Sequence, residues 1–140
     1  FGENHLIKMQ PQVFDMTYED FGVALEKWNY SCIIPAGTTL PATAEKKYSL
    51  VEDEQSQLNI KVFSRKSENQ DAKKTYDQGV EYLDELIMTN IPPMKMDEVD
   101  VIVRFEITKQ YELKTDVTLI KKDGTIVDKG NVSINRQSML

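Results

Sequence analysis

From Val99 to Ile107 apolar and polar residues alternate with a period of two. Val99, Val101, Val103, Phe105 and Ile107 fall on one face; Asp100, Arg104 and Glu106 fall on the other, with Ile102 the exception. Neighbouring side chains of a strand point to opposite faces, so the run describes a half-buried strand. A second such run follows at once: Tyr111, Leu113, Val117 and Leu119 alternate with Glu112, Lys114, Asp116 and Thr118. The connection Thr108-Lys109-Gln110 is short, which predicts an antiparallel hairpin. Lys122-Asp123-Gly124-Thr125 is a tight-turn signal and leads into a last strand around Ile126 to Ile134. Upstream, Leu58, Ile60 and Val62 share a face, and residues 20–26, 28–34 and 43–50 read as shorter strands. The expected fold is all-β, an antiparallel β-sandwich of about eight strands.

One stretch reads two ways. Tyr76, Val80, Leu83 and Ile87 recur at helical spacing, so propensity predicts a helix over 72–86, weakened by Gly79. Residues 64–81 are polar and read as a surface loop with a helical turn. Residues 1–12 lack periodicity and contain Pro11, which predicts a loosely ordered segment; the sandwich then spans 13–135, and 136–140 form a tail.

With 140 residues the chain is long enough for one domain with a real core. Its net charge of -6 repels phosphates and argues against nucleic acid as a partner. Cys32 is the only cysteine, so no internal disulfide forms; in the run Cys32-Ile33-Ile34 it reads as a small hydrophobe rather than a reactive thiol. No apolar stretch has the length of a membrane span, so no membrane association is expected. These features fit a reducing compartment, the cytoplasm first and an organelle second. Phe1 in place of Met suggests a fragment or a processed form.

Catalytic signals are missing. His5, the only histidine, lies in the unpatterned N-terminal stretch and supports no nucleophile–base set. The sequence has no metal-ligand cluster and no phosphate-cradling glycine loop. Glu19-Asp20 and Glu52-Asp53-Glu54 read as solvated surface. The chain is therefore not expected to be an enzyme or to need a cofactor.

Two proline-containing stretches point further. Ile33-Ile34-Pro35-Ala36-Gly37-Thr38-Thr39-Leu40-Pro41 and Ile91-Pro92-Pro93 resemble turns of the substrate-binding β-sandwich of the seventy-kilodalton heat-shock chaperones, the DnaK type. Gly37 stands where that family usually has Asn; both residues tolerate a left-handed backbone. Phe14-Asp15-Met16-Thr17 resembles the family's entry from its interdomain linker, and Phe21-Gly22-Val23 its Leu-Gly-Ile. Tyr48-Ser49 with Glu52 to Ser56, the strand Leu58 to Val62, and Val101 to Ile107 are similar in the same order. Gln110-Tyr111 replaces the family's Asp-Gly, which leaves the turn type open. The resemblance covers roughly residues 13–134 and favours a strand over 82–89 in place of the helix.

What the resemblance implies is a chaperone of the stress response that binds extended apolar stretches of unfolded polypeptides. An ATP-binding ATPase domain and co-chaperones would act with it in the full-length protein, and the family's helical lid is expected to be missing from this chain. Peptide backbone bonds would supply affinity and an apolar pocket preference. Carried over by position, the peptide-binding residues are Val23, Leu25, Tyr48, Ser49, Leu58, Asn59, Ile60 and Val101, with Glu26 and Val51 facing each other across an arch. Val13, Phe14, Asp15 and Pro41 match interdomain positions. Glu26 departs most, since an ionised carboxylate cannot be buried against an apolar peptide without large cost. Lys27-Trp28 replaces a Gly-Gly pair, and Trp28 is expected to pack on the outer sheet, with a place on the rim of the channel as the alternative. The alternative is a regulatory or protein-interaction sandwich that kept the fold and lost peptide capture.

Overall fold

The computed structural model describes residues 12–139. The expectation for residues 1–11, and His5 with it, lies outside the described residues. Eight strands follow in order: β1 Glu19–Ala24, β2 Ser31–Ile34, β3 Ala42–Ser49, β4 Leu58–Lys66, β5 Val80–Met88, β6 Val99–Ile107, β7 Glu112–Lys121 and β8 Ile126–Asn135. They form two four-stranded sheets, β2-β1-β4-β5 and β3-β6-β7-β8. Every pairing is antiparallel, so the all-β sandwich read from the alternation is the observed architecture.

The apolar faces close on one another. Val99, Val101, Val103, Phe105 and Ile107 of β6 meet Leu58, Ile60 and Val62 of β4 in one core. Each such fully buried side chain contributes roughly 1.5–3 kcal/mol. At one side of the sandwich the edges β5 and β8 lie close together: a Cβ on Gly130 would stand 2.9 Å from a Leu86 methyl. A side chain there would have to displace the Leu86 methyls.

The registers assign loops to ends. Ala42 pairs with Ile107 and Ser49 with Asp100, while Ala24 pairs with Lys61 and Leu58 with Met88. The β1–β2, β3–β4 and β5–β6 loops therefore share one end. The β2–β3 loop and the β6–β7 turn occupy the other. In the β2–β3 loop Gly37 has φ +82°, and its amide donates to the Thr17 carbonyl at 2.9 Å. Gly37→Ala is expected to lower stability by about 1–2 kcal/mol through the left-handed backbone alone, and Gly37→Asn by less. Nothing lies within 4 Å of the added Cβ, so urea denaturation of the two variants isolates that backbone preference.

The stretch with two readings resolves as β5, not a helix. Residues before it include a short 3-10 turn, Ser67–Asn69, and the loop crosses the outer face of the β2-β1-β4-β5 sheet. It is anchored by buried charge. Arg65 Nε donates to Asp20 Oδ2 at 2.6 Å and Arg65 Nη1 to the Ala72 carbonyl at 2.8 Å. Arg65 also lies 4.9 Å above the Tyr30 ring, a cation–π contact. At the far end of its crossing, the Tyr30 amide donates to Lys73 O at 3.0 Å and the Thr75 amide to Trp28 O at 2.9 Å. The β4–β5 loop (the insertion) is therefore stitched to the β1–β2 loop.

One expectation is corrected. Glu19 and Asp20, read as solvated, are buried; each carboxylate is held by an arginine at the sheet surface. The segment from 136 forms a 3-10 turn, Arg136–Met139. Its Arg136 is buried and bonds both Glu19 and Glu81, at 2.9 and 3.0 Å. Burial works against the guanidinium charge, but the two carboxylates outweigh it, raise the pKa and keep the group protonated.

Candidate functional site

The end that gathers the β1–β2, β3–β4 and β5–β6 loops carries a cleft. It has two compartments that share Leu25, Glu26, Asn29 and Val51. The smaller, of about 320 Å³, is an apolar notch built from Val23, Leu25, Tyr48, Leu50, Val51 and Met96. The larger, of about 760 Å³, lies across Glu26 and Val51 and is walled by Trp28, Asn59, Lys61, Lys74 and Tyr76 among others.

The loops are held by their own polar groups. Gln55 Oε1 accepts from the amides of Val51 and Glu52 at 2.9 and 3.3 Å, and its Nε2 donates to Gln57 O at 2.7 Å. Asp53 Oδ1 accepts from the Met96 amide at 2.8 Å, and the Glu54 amide donates to Met94 O at 2.7 Å. The β3–β4 and β5–β6 loops thus move as one, and Met96 is fixed as a wall of the notch. The phenol of Tyr48 is satisfied by Ser31 Oγ at 2.8 Å. Burial outweighs that bond and raises the Tyr48 pKa, so the phenol is neutral at physiological pH. Burial likewise pushes up the Cys32 thiol, which keeps it from acting as a nucleophile.

Glu26 does not enter the notch floor as a bare charge. It is exposed, and Asn29 Nδ2 donates to its Oε2 at 3.2 Å. Lys74 Nζ donates in turn to Asn29 Oδ1. A residue of the insertion therefore offsets the Glu26 charge through one amide.

The residues singled out in the sequence separate into three groups. Val23, Leu25, Glu26, Tyr48, Ser49 and Val51 line the notch, and Asn59 lines the larger compartment. Leu58, Ile60 and Val101 line neither compartment and, like Val23 at the notch floor, have no exposed surface; they form the packed layer of the core. Val13, Phe14, Asp15 and Pro41 stand at the opposite end. Phe14 is buried and its amide donates to Lys109 O at 2.8 Å, while Asp15 O accepts from the Leu40 amide at 2.9 Å. Val13, Asp15 and Pro41 are exposed there. Ser31, at the start of β2, and Leu50, just beyond β3, also line the notch; Asn29 and Met96 complete it without a signal in the sequence, because loop closure rather than periodicity brings them in. Trp28 is a correction: it does not pack on the outer sheet but rims the larger compartment, 55% exposed, with its ring edge-on to Tyr76 at 5.9 Å.

Among the described residues no group of three or more His, Cys, Asp or Glu is placed to hold a metal ion. No helix among them is long and apolar enough to cross a membrane.

Fold and cleft together define a two-sheet β-sandwich with a loop-walled groove at one end. No family model matches the chain. It is similar to heat-shock proteins of the seventy-kilodalton class. One relative, the Heat shock cognate HSP70 protein of Trypanosoma brucei brucei, is 27% identical over 95 residues, 68% of this chain and 13% of the relative. Another, a heat shock protein of Pyricularia oryzae, is 27% identical over 106 residues, 76% of this chain and 16% of the relative. The chain thus spans less than a fifth of the length of these relatives.

Proposed function

We propose that this domain is the polypeptide-binding unit of a DnaK-type chaperone, capturing extended apolar segments without covalent chemistry. The observation that carries the reading is the apolar notch beneath Glu26 and Val51. It is open to solvent at the loop end, while the core below it is filled. A single aliphatic side chain seated there contributes roughly 1.5–3 kcal/mol, against the roughly 8 kcal/mol that micromolar affinity needs. The peptide's backbone must supply the rest, through Ser49 and loop groups around the cleft. In the full-length protein, an ATPase domain engages the other end through Val13, Phe14, Asp15 and Pro41, and co-chaperones act with it; this domain itself uses no cofactor. Unfolded polypeptides in the cytoplasm are the partners on this reading, with neither nucleic acid nor membrane involved.

Titration of a fluorescein-labelled heptapeptide carrying one central Leu tests it. Saturable binding in the micromolar range is expected, weakened at least about tenfold by Val51→Asp, which puts a charge at the notch. Val51 is 41% exposed, so the variant should fold normally. Substituting the buried Leu58 instead would confound binding with unfolding. A wild-type domain that binds no such peptide would leave the regulatory sandwich as the better account.

A further inference from the structure

We infer that the larger compartment is a second subsite, made by the insertion, that takes an aromatic side chain of the same extended polypeptide. The inference rests on the peptide-binding reading and adds to it a substrate preference. Its basis is which groups in the compartment are already engaged. Gln55 bonds its own loop through both ends of its amide, Gln57 Nε2 donates to Asn59 Oδ1 at 2.8 Å, and Asn29 bridges Glu26 and Lys74. Wholly uncommitted are the Asn59 Nδ2, the Lys27 and Lys61 ammoniums and the Glu52 carboxylate, and two aromatic rings line the same compartment. Uncommitted donors outnumber uncommitted acceptors there, which suits the carbonyl oxygens of a peptide backbone. The rings are Trp28 and Tyr76, the latter 69% exposed.

Two large rings left in water at the wall of a cleft offer a face and an edge to a third ring. They are also not free to fold away. The Thr75–Trp28 backbone bond and the bridge between Asn29 and Lys74 fix both loops at the points where the rings emerge. The notch and this compartment share four lining residues, so one extended chain can occupy both. The insertion is then a permanent wall of the groove and contributes Tyr76 to what the groove selects.

Trp28 is the single tryptophan of the chain, so its emission reports on the subsite. The experiment uses heptapeptides with one Leu and a single Phe placed in turn at each other position, each compared with its Ala counterpart. In one or two registers on one side of the Leu, Phe is expected to tighten binding roughly fivefold over Ala and to shift Trp28 emission to the blue. In Tyr76→Ala and Trp28→Ala the Phe-to-Ala ratio is expected to fall to about one. Equal affinity of Phe and Ala peptides at every position overturns the inference while leaving the notch reading intact. A ratio that persists in both variants also overturns it. If the Leu peptide does not bind at all, the peptide-binding reading fails and this one with it.

Discussion

Asp20→Asn is expected to remove about 3–5 kcal/mol of folding stability, the cost of leaving a buried charge without its partner. Asp20 has no exposed surface. Its carboxylate meets Arg65 Nε and Nη2, both at 2.6 Å, and Gln70 Nε2 at 3.2 Å, and accepts from the Ala36 amide. Asparagine keeps the shape and a neutral acceptor but leaves the Arg65 guanidinium in a low-dielectric setting without a counter-charge, beside the Ala72 carbonyl and the Tyr30 ring. The effect should reach the loop: Gln70 and Ala72 lose their anchor, so amide exchange across 67–76 should speed up more than in β6. The double variant Asp20→Asn/Arg65→Met should recover much of the loss, because removing the guanidinium leaves no unpaired charge buried. Arg104→Gln provides the contrast. Its pairing with Glu45 is 4.0 Å long with both partners about half exposed, and such pairs contribute at most about 1 kcal/mol. Urea denaturation of the four proteins decides it; a loss below about 1 kcal/mol for Asp20→Asn would show that the pair is not what holds the insertion.

The anchoring explains which parts of the molecule could be read in advance. Strands whose two faces differ were legible, because Val99 to Ile107 and Leu113 to Leu119 must bury one face and wet the other. β5 was not legible from periodicity. Both of its faces are only partly buried, at the sheet edge, so Tyr82 and Ile87 remain exposed while Leu83 and Leu86 are half-buried, and no clean period of two survives. Glu19 and Asp20 were misread for a related reason. A charge looks solvated in sequence unless its partner is known, and here the partners lie 45 and 117 residues away. The site divides along the same line. Strand-borne Val23 and Tyr48 could be placed by position, whereas Leu58, Ile60 and Val101 could not be assigned to core or cleft, since an inward strand residue serves either. Asn29, Met96 and Tyr76 enter the cleft only through the way three loops close.

Tyr111 offers the second large effect, and it inverts an ordinary ranking. Tyr111 occupies the turn between β6 and β7 with φ +62°, where a residue other than glycine is disfavoured by roughly 1–2 kcal/mol. It is nonetheless fully buried, in ring contact with Phe14, Tyr18 and Phe21 at centroid distances of 4.8, 5.7 and 5.8 Å. Packing of the ring outweighs the strain of the backbone. Tyr111→Ala removes the ring and keeps the strain, so a loss of about 3–5 kcal/mol is expected. Tyr111→Gly removes both, and should be more stable than the alanine variant by about 1 kcal/mol although it leaves the larger void. Tyr111→Phe keeps the ring and loses the phenol's polar contacts, among them the bond in which the Tyr18 amide donates to the phenol oxygen at 2.9 Å, a loss of about 1 kcal/mol. The phenol adds a pH dependence. Burial raises its pKa above the ordinary tyrosine value, against the lowering by the Tyr18 amide. The folded state therefore keeps the proton where the unfolded chain, with a pKa of about 10, gives it up. The resulting stability is complete below about pH 10 and is lost as the pH rises from there toward the folded pKa. Tyr30, whose pKa burial also raises, adds to the same limb, so Tyr111→Phe should flatten the alkaline fall in urea midpoint between about pH 8 and 11 without abolishing it. An alkaline limb identical in Tyr111→Phe and wild type would mean that this phenol ionises as readily in the folded protein as in the unfolded chain, and that the ring cluster at the far end of the sandwich is open to water.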